Sequence, residues 1–188
     1  MKNQTMSILR SMLLLVAVLL FSQCDTEDPE MENEEELITT LEMTFSPVGG
    51  GNDVEFSVFD EDGDGPAAPE YTNGTLAADT DYDVSIEVRN DEEREDITLE
   101  IIEEDEEHQF FFQTTNGLDI EFVYDDADEN GNPIGLASIF STGEASSGEL
   151  TVILRHEPNK LADGVENGDP ANAGGETDIR ATFDVTIQ

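Results

Sequence analysis

Tryptophan is absent, cysteine occurs once, and the 188 residues hold two lysines, Lys2 and Lys160, and two histidines, His108 and His156. One cysteine excludes an internal disulfide framework and any thiolate-rich metal centre within the chain. Seven basic residues face 46 acidic ones, for a formal net charge of −39. A surface so poor in cations argues against nucleic acid and against anionic lipid headgroups, because phosphate recognition depends on Lys and Arg. No apolar run approaches the roughly 20 residues that a membrane-spanning helix needs. There is no Gly-x-Ser-x-Gly elbow, no His-Glu-x-x-His pair and no glycine-rich phosphate loop ahead of a helix. Acidic pairs abound, but in so acidic a chain they say nothing about glycosidase chemistry. The sequence is therefore read as non-catalytic.

What the chain does have begins at its first residues. Lys2 and Arg10 precede Met12 to Phe21, an unbroken apolar run, and Ser22-Gln23-Cys24 follows. A basic start, a short apolar stretch and a cleavage zone make a secretory leader. Cys24 stands where a bacterial lipoprotein is cut and acylated, although Gln23 occupies a position where a small residue is usual. The alternative is an ordinary secretory leader followed by a leftover thiol. Lipidation gives that thiol a purpose, since each buried acyl methylene contributes about 0.8 kcal/mol of membrane affinity. The expected organisation is a signal peptide over 1–23, an acidic flexible tether over 24–36 and one folded domain over 37–188. The acidic run after Cys24 resembles the surface-export signal of Bacteroidota-type lipoproteins. The expected location is the cell envelope, as an outer-membrane lipoprotein facing the periplasm or the cell surface.

Removal of Lys2 and Arg10 with the leader leaves five cations against 46 carboxylates, or −41. Such a charge fits disorder, metal binding or adaptation to high salt. Disorder conflicts with ten Phe residues and many Val, Ile and Leu in alternating patterns. In molar salt the Debye length falls to about 3 Å, so self-repulsion is screened. The scarcity of lysine agrees with a halophilic surface.

Alternating apolar residues predict strands. They run through Leu41-Met43-Phe45, Val54-Phe56-Val58, Tyr82-Val84-Ile86-Val88, Gln109–Gln113, Leu118–Tyr124, Leu136–Ser141, Leu150–His156 and Ile179–Ile187. Asn116-Gly117 is a strong hairpin turn signal. Ile97, Ile101 and Ile102 have helical spacing, predicting a short helix around 93–107. The expected fold is mainly β, a single antiparallel Ig-like β-sandwich of about eight strands. Leu76 to Val88, with the spacing L-x5-Y-x-V-x-I-x-V, resembles the corner-and-strand motif of fibronectin type III and related sandwiches. The resemblance implies that the Tyr82 hydroxyl bonds backward to the chain just upstream.

Three groups of residues are candidate metal ligands. Asp60, Asp62 and Asp64 before Gly65, and Asp126, Asp128 and Asn130 before Gly131, place oxygen side chains at alternate positions on a tight turn. That pattern suits Ca²⁺ and resembles the first half of an EF-hand loop. The position of the closing Glu is occupied by Tyr71 and Ala137, and the same residues are ordinary turn formers. His108 and His156 each have an acidic neighbour at a strand end, and a His pair with carboxylates suits Zn²⁺.

Three stretches resemble small Bacteroidota-type envelope lipoproteins loosely described as periplasmic-binding-fold proteins. They are Glu95–Thr98 through Glu107–Phe112, Leu154–Pro158, and Gly175–Ile179 with the final Phe183–Ile187. The resemblance implies company with a TonB-dependent receptor and a part in nutrient capture. The label implies an α/β fold, which the lack of strand–helix alternation contradicts. The expected function is a non-catalytic, lipid-anchored envelope protein that binds a ligand or metal ion, Ca²⁺ or Zn²⁺, and assists nutrient uptake. The alternative is a structural or adhesive surface module with no small ligand.

Overall fold

Successive side chains of a strand point to opposite faces, so apolar alternation buries one face of a sheet against a partner. In the computed structural model of the protein, which describes residues 37–61, 66–115 and 117–188, this patterning produces two packed sheets. The expected leader and tether, with Cys24, and the residues Asp62, Asp64 and Asn116 lie outside the described residues. The first sheet contains β1 (Thr40–Pro47), β2 (Val54–Phe59), β3 (Glu70–Thr72), β5 (Asp81–Arg89), β7 (Ile120–Tyr124) and β8 (Ala137–Thr142), in the order β3-β2-β1-β5-β8-β7. The second contains β4 (Thr75–Leu76), β6 (His108–Thr114), β9 (Ser146–His156) and β10 (Glu176–Ile187), in the order β4-β10-β9-β6. The chain is a β-sandwich. It differs from a purely antiparallel one at one place, where β4 pairs in parallel with the end of β10.

The core lies between the sheets. Leu41, Met43 and Phe45 from β1 and Tyr82, Val84, Ile86 and Val88 from β5 are buried, opposite Phe183, Val185 and Ile187 from β10. Aromatic rings join the layers. Phe56 meets Phe183 edge-on at 5.8 Å between centroids, and Phe112 meets Phe140 at 5.1 Å. Such T-shaped pairs add about 0.5–1.5 kcal/mol each beyond area burial. Tyr82 accepts the Ala77 backbone N–H at 2.8 Å, the backward bond expected of a corner tyrosine.

The helix is shorter than its spacing predicts. It runs over α1 (Ile97–Glu103), with Ile97 and Ile101 buried and Ile102 about half exposed, at 53%. Positions four apart share a helix face, and only one such face meets the core. Thr98 fixes α1 to the end of β5, accepting the Val88 N–H and donating to the Val88 carbonyl.

One seam of the sandwich, between edge strands β6 and β7, is closed by side chains and by a loop. Tyr124 donates its hydroxyl to the Phe110 carbonyl at 2.7 Å, and the Phe110 N–H is taken by the Ile134 carbonyl. Gly135, at φ +88, passes so close that a Cβ would lie 2.9 Å from that of Phe110. The long β9–β10 connection, residues 157–175, forms a strap. It lays Val165 and Ala173 on Phe111 and Ile153, covering the second sheet's outer face.

Candidate cation site

The start of β6 and the end of β9 meet at one corner, beside the turn that leaves α1. There His108 and His156 are direct cross-strand partners. Their rings stack with centroids 4.8 Å apart and planes 12° from parallel. His108 is buried, and its Nδ1 lies 3.2 Å from the Glu104 carbonyl oxygen. A carbonyl only accepts, so Nδ1 carries the proton and Nε2 keeps the lone pair. Burial pushes the pKa of His108 below the usual imidazole value, against the Glu104 hydrogen bond, and the ring is neutral at neutral pH.

The stack does not place both rings on one ion. An imidazole lone pair lies in the ring plane, and stacked rings stay at least about 3.5 Å apart by van der Waals contact. An ion in the plane of one ring is therefore out of the plane of the other. The group that does converge is built on His156. Its Nε2 lies 3.8 Å from Glu107 Oε2, and one ligand atom each from Glu107, His156 and Glu157 fall within 4.8 Å of one another. His156 is half-buried, while both glutamates are exposed.

Backbone geometry puts Glu157 there. Glu157 sits at φ +50, in the left-handed region that a side chain normally avoids. Its N–H donates to the Glu107 carbonyl at 2.6 Å, tying together the two residues that bring the carboxylates. Gly175 packs behind, where a Cβ would stand 2.2 Å from the His156 carbonyl oxygen. Beside the group lies a cleft of about 400 Å³ lined by Ile102 and six acidic residues, Glu107 among them.

The two Asp-rich loops are used differently. Asp126 accepts the N–H groups of Gly135 and Ala137, at 2.7 and 2.8 Å. Asp128 accepts those of Asn130 and Asn132, at 2.9 and 2.8 Å. The remaining Asp128 oxygen faces the Lys160 ammonium at 3.1 Å, with both side chains buried. Burial pushes Asp128 up, but the Asn132 N–H and the Lys160 ammonium outweigh it and hold the carboxyl below its ordinary value. Internal donors and an internal cation thus meet the Asp126 and Asp128 carboxylates, and Asn130 contributes a backbone N–H. In the first loop only Asp60 lies among the described residues. It is half-buried, with Oδ1 shielded and without a hydrogen-bond partner among them.

The spacing of residues brought out His156 but not Glu157's backbone or the Lys160–Asp128 pair. One signal for the pair was present: Lys160 is the only lysine besides Lys2, in a chain with carboxylates everywhere. No family model, no curated protein and no solved structure matches the chain. Its class rests on the fold: a β-sandwich with a helix capping one end. No helix among the described residues is long and apolar enough to cross a membrane.

Proposed function

We propose that this chain is a non-catalytic, lipid-anchored protein of the bacterial cell envelope that holds a borderline divalent cation of the Zn²⁺ class at the His156 corner and assists its uptake. The observation that carries this reading is the convergence of His156, Glu107 and Glu157 within 4.8 Å. One imidazole and two carboxylates suit Zn²⁺ better than Ca²⁺, which takes oxygen ligands only. Glu157 adds support, since a left-handed non-glycine residue costs about 1–3 kcal/mol and such strain gathers at functional positions.

Three protein ligands at an exposed corner leave coordination positions for water or for a ligand arriving with the ion, as in open rather than structural sites. Exchange suits cargo that is captured and passed on. The acidic cleft beside the site would raise the local cation concentration. The anchor rests on Lys2, Arg10, the Met12 to Phe21 run and Cys24, and the link to a TonB-dependent receptor rests on the lipoprotein resemblance.

Zn²⁺ titration of the full chain, by calorimetry at high ionic strength, tests the reading. A saturable single site in the wild type, lost in His156→Ala, is expected. Diffuse binding that ignores that substitution sinks it.

A further inference from the structure

The two carboxylates of the cation site sit on different segments, Glu107 on the turn after α1 and Glu157 at the start of the strap. One buried ammonium joins those segments. Lys160 donates from Nζ to the Asp105 carbonyl at 2.5 Å and to Asp128 Oδ2 at 3.1 Å. Asp105 lies two residues before Glu107, and Lys160 lies three residues after Glu157. Between Glu157 and Lys160 the chain has little freedom. Pro158 is buried, the Lys160 N–H bonds the Pro158 carbonyl at 3.0 Å, and the Asn159 N–H bonds the Ala173 carbonyl at 2.7 Å. The third anchor is itself fixed, since Asp128 is held by the Asn130 and Asn132 N–H groups.

We infer that Lys160 is a positioning residue for the cation site: its ammonium, seated between the Asp105 carbonyl and Asp128, acts with the Glu157 N–H to Glu107 carbonyl bond to hold Glu107 and Glu157 at their separation. The inference rests on the cation reading above. It explains why a lysine stands here in a chain otherwise almost without them. A flexible ammonium stem reaches two acceptors on different segments at once, and burial excludes the competing water. Residues that orient metal ligands typically change affinity about 10–100-fold when altered.

The test uses Co²⁺ as the probe, because its visible absorption reports the ligand set. The full chain is titrated as wild type, as Lys160→Met, and as the double variant Lys160→Met with Asp128→Asn. The double variant leaves no buried charge uncompensated, so it keeps the test alive if Lys160→Met fails to fold. Each is repeated with Glu157→Gln. Wild type is expected to show a His156-dependent band. The Lys160 variants should bind about tenfold more weakly, with circular dichroism intact. With Glu157 already replaced, the Lys160 substitutions should cost little more, since the separation of the two carboxylates matters only while both bind the ion. Unchanged affinity in the folded Lys160 variants overturns this inference and leaves the cation site standing. A full additional loss on the Glu157→Gln background also overturns it, because Lys160 would then act elsewhere. A wild type without any His156-dependent band removes the cation reading itself, and this inference with it.

Discussion

Tyr124 and Phe110 are bonded across the two sheets, phenol hydroxyl to backbone carbonyl, at 2.7 Å. Burial raises the Tyr124 pKa to about 12 from an ordinary value of 10.0. The folded state therefore holds this proton more tightly than the unfolded chain does. Stability from this group is complete below about pH 10 and is lost as pH rises through about 12. Tyr124→Phe should lower stability at neutral pH by about 1 kcal/mol, the net value of one hydrogen bond. It should also flatten the alkaline loss in that window. Urea unfolding followed across the alkaline range measures both, and equal alkaline slopes in the two proteins contradict the assignment.

Asp128 governs the acid side. Its folded pKa lies below the ordinary value, so it contributes stability that is present above the unfolded carboxylate pKa and is lost as pH falls through the folded value. Asp128→Asn should remove that part of the acid dependence. It should also cost about 3–5 kcal/mol near neutrality, the usual penalty for breaking a buried ion pair and stranding its partner, here Lys160. Acid titration of the unfolding midpoint reads both, and a variant with the wild-type acid slope rules out Asp128 as the source.

Forty-six acidic residues on one small chain repel one another at low ionic strength. Screening shortens from about 10 Å at 0.1 M salt to about 3 Å at 1 M. The melting temperature should climb over that range, in sodium chloride as in potassium chloride, because the effect is general screening. A flat or falling curve excludes adaptation to high salt.

Cys24 is the sole thiol of the chain. Cells fed labelled palmitate should incorporate it into the wild type, and Cys24→Ala should lose both the label and the membrane fraction. Label retained in the variant disproves the anchor at this residue.

Much of the fold was legible because burial here follows period two. Leu41, Met43 and Phe45, and then Phe183, Val185 and Ile187, announce both strand and inward face. The corner tyrosine was legible for the same kind of reason, since its partner lies only five residues upstream. β4 was not. Two residues whose pairing depends on β10, more than a hundred positions away, carry no local pattern. The candidate site divides along the same line. Residue types showed that His156 and its acidic neighbours were chemically able. Which atoms face which depends on the β6–β9 register and on Glu157's left-handed backbone, which a sequence does not spell out. The Asp126–Asn130 loop shows the converse. Its spacing displays oxygens suited to a cation, yet Asp126 is taken up by backbone N–H groups and Asp128 meets the ammonium of Lys160, far along the chain.

The order of strands also bears on the order of events as the chain is made, amino end first. β1 lies between β2 and β5 in the first sheet, and all three precede Asn90 in the chain, so they can pair early. On their apolar side, Phe56 meets Phe183 of β10 edge-on, so that contact waits for the end of the chain. Assembly of the covering layer waits for a strand drawn from near residue 187, and contacts of such long range form slowly. An aromatic surface left uncovered in that interval would favour association, and repulsion between chains of formal charge −39 would oppose it.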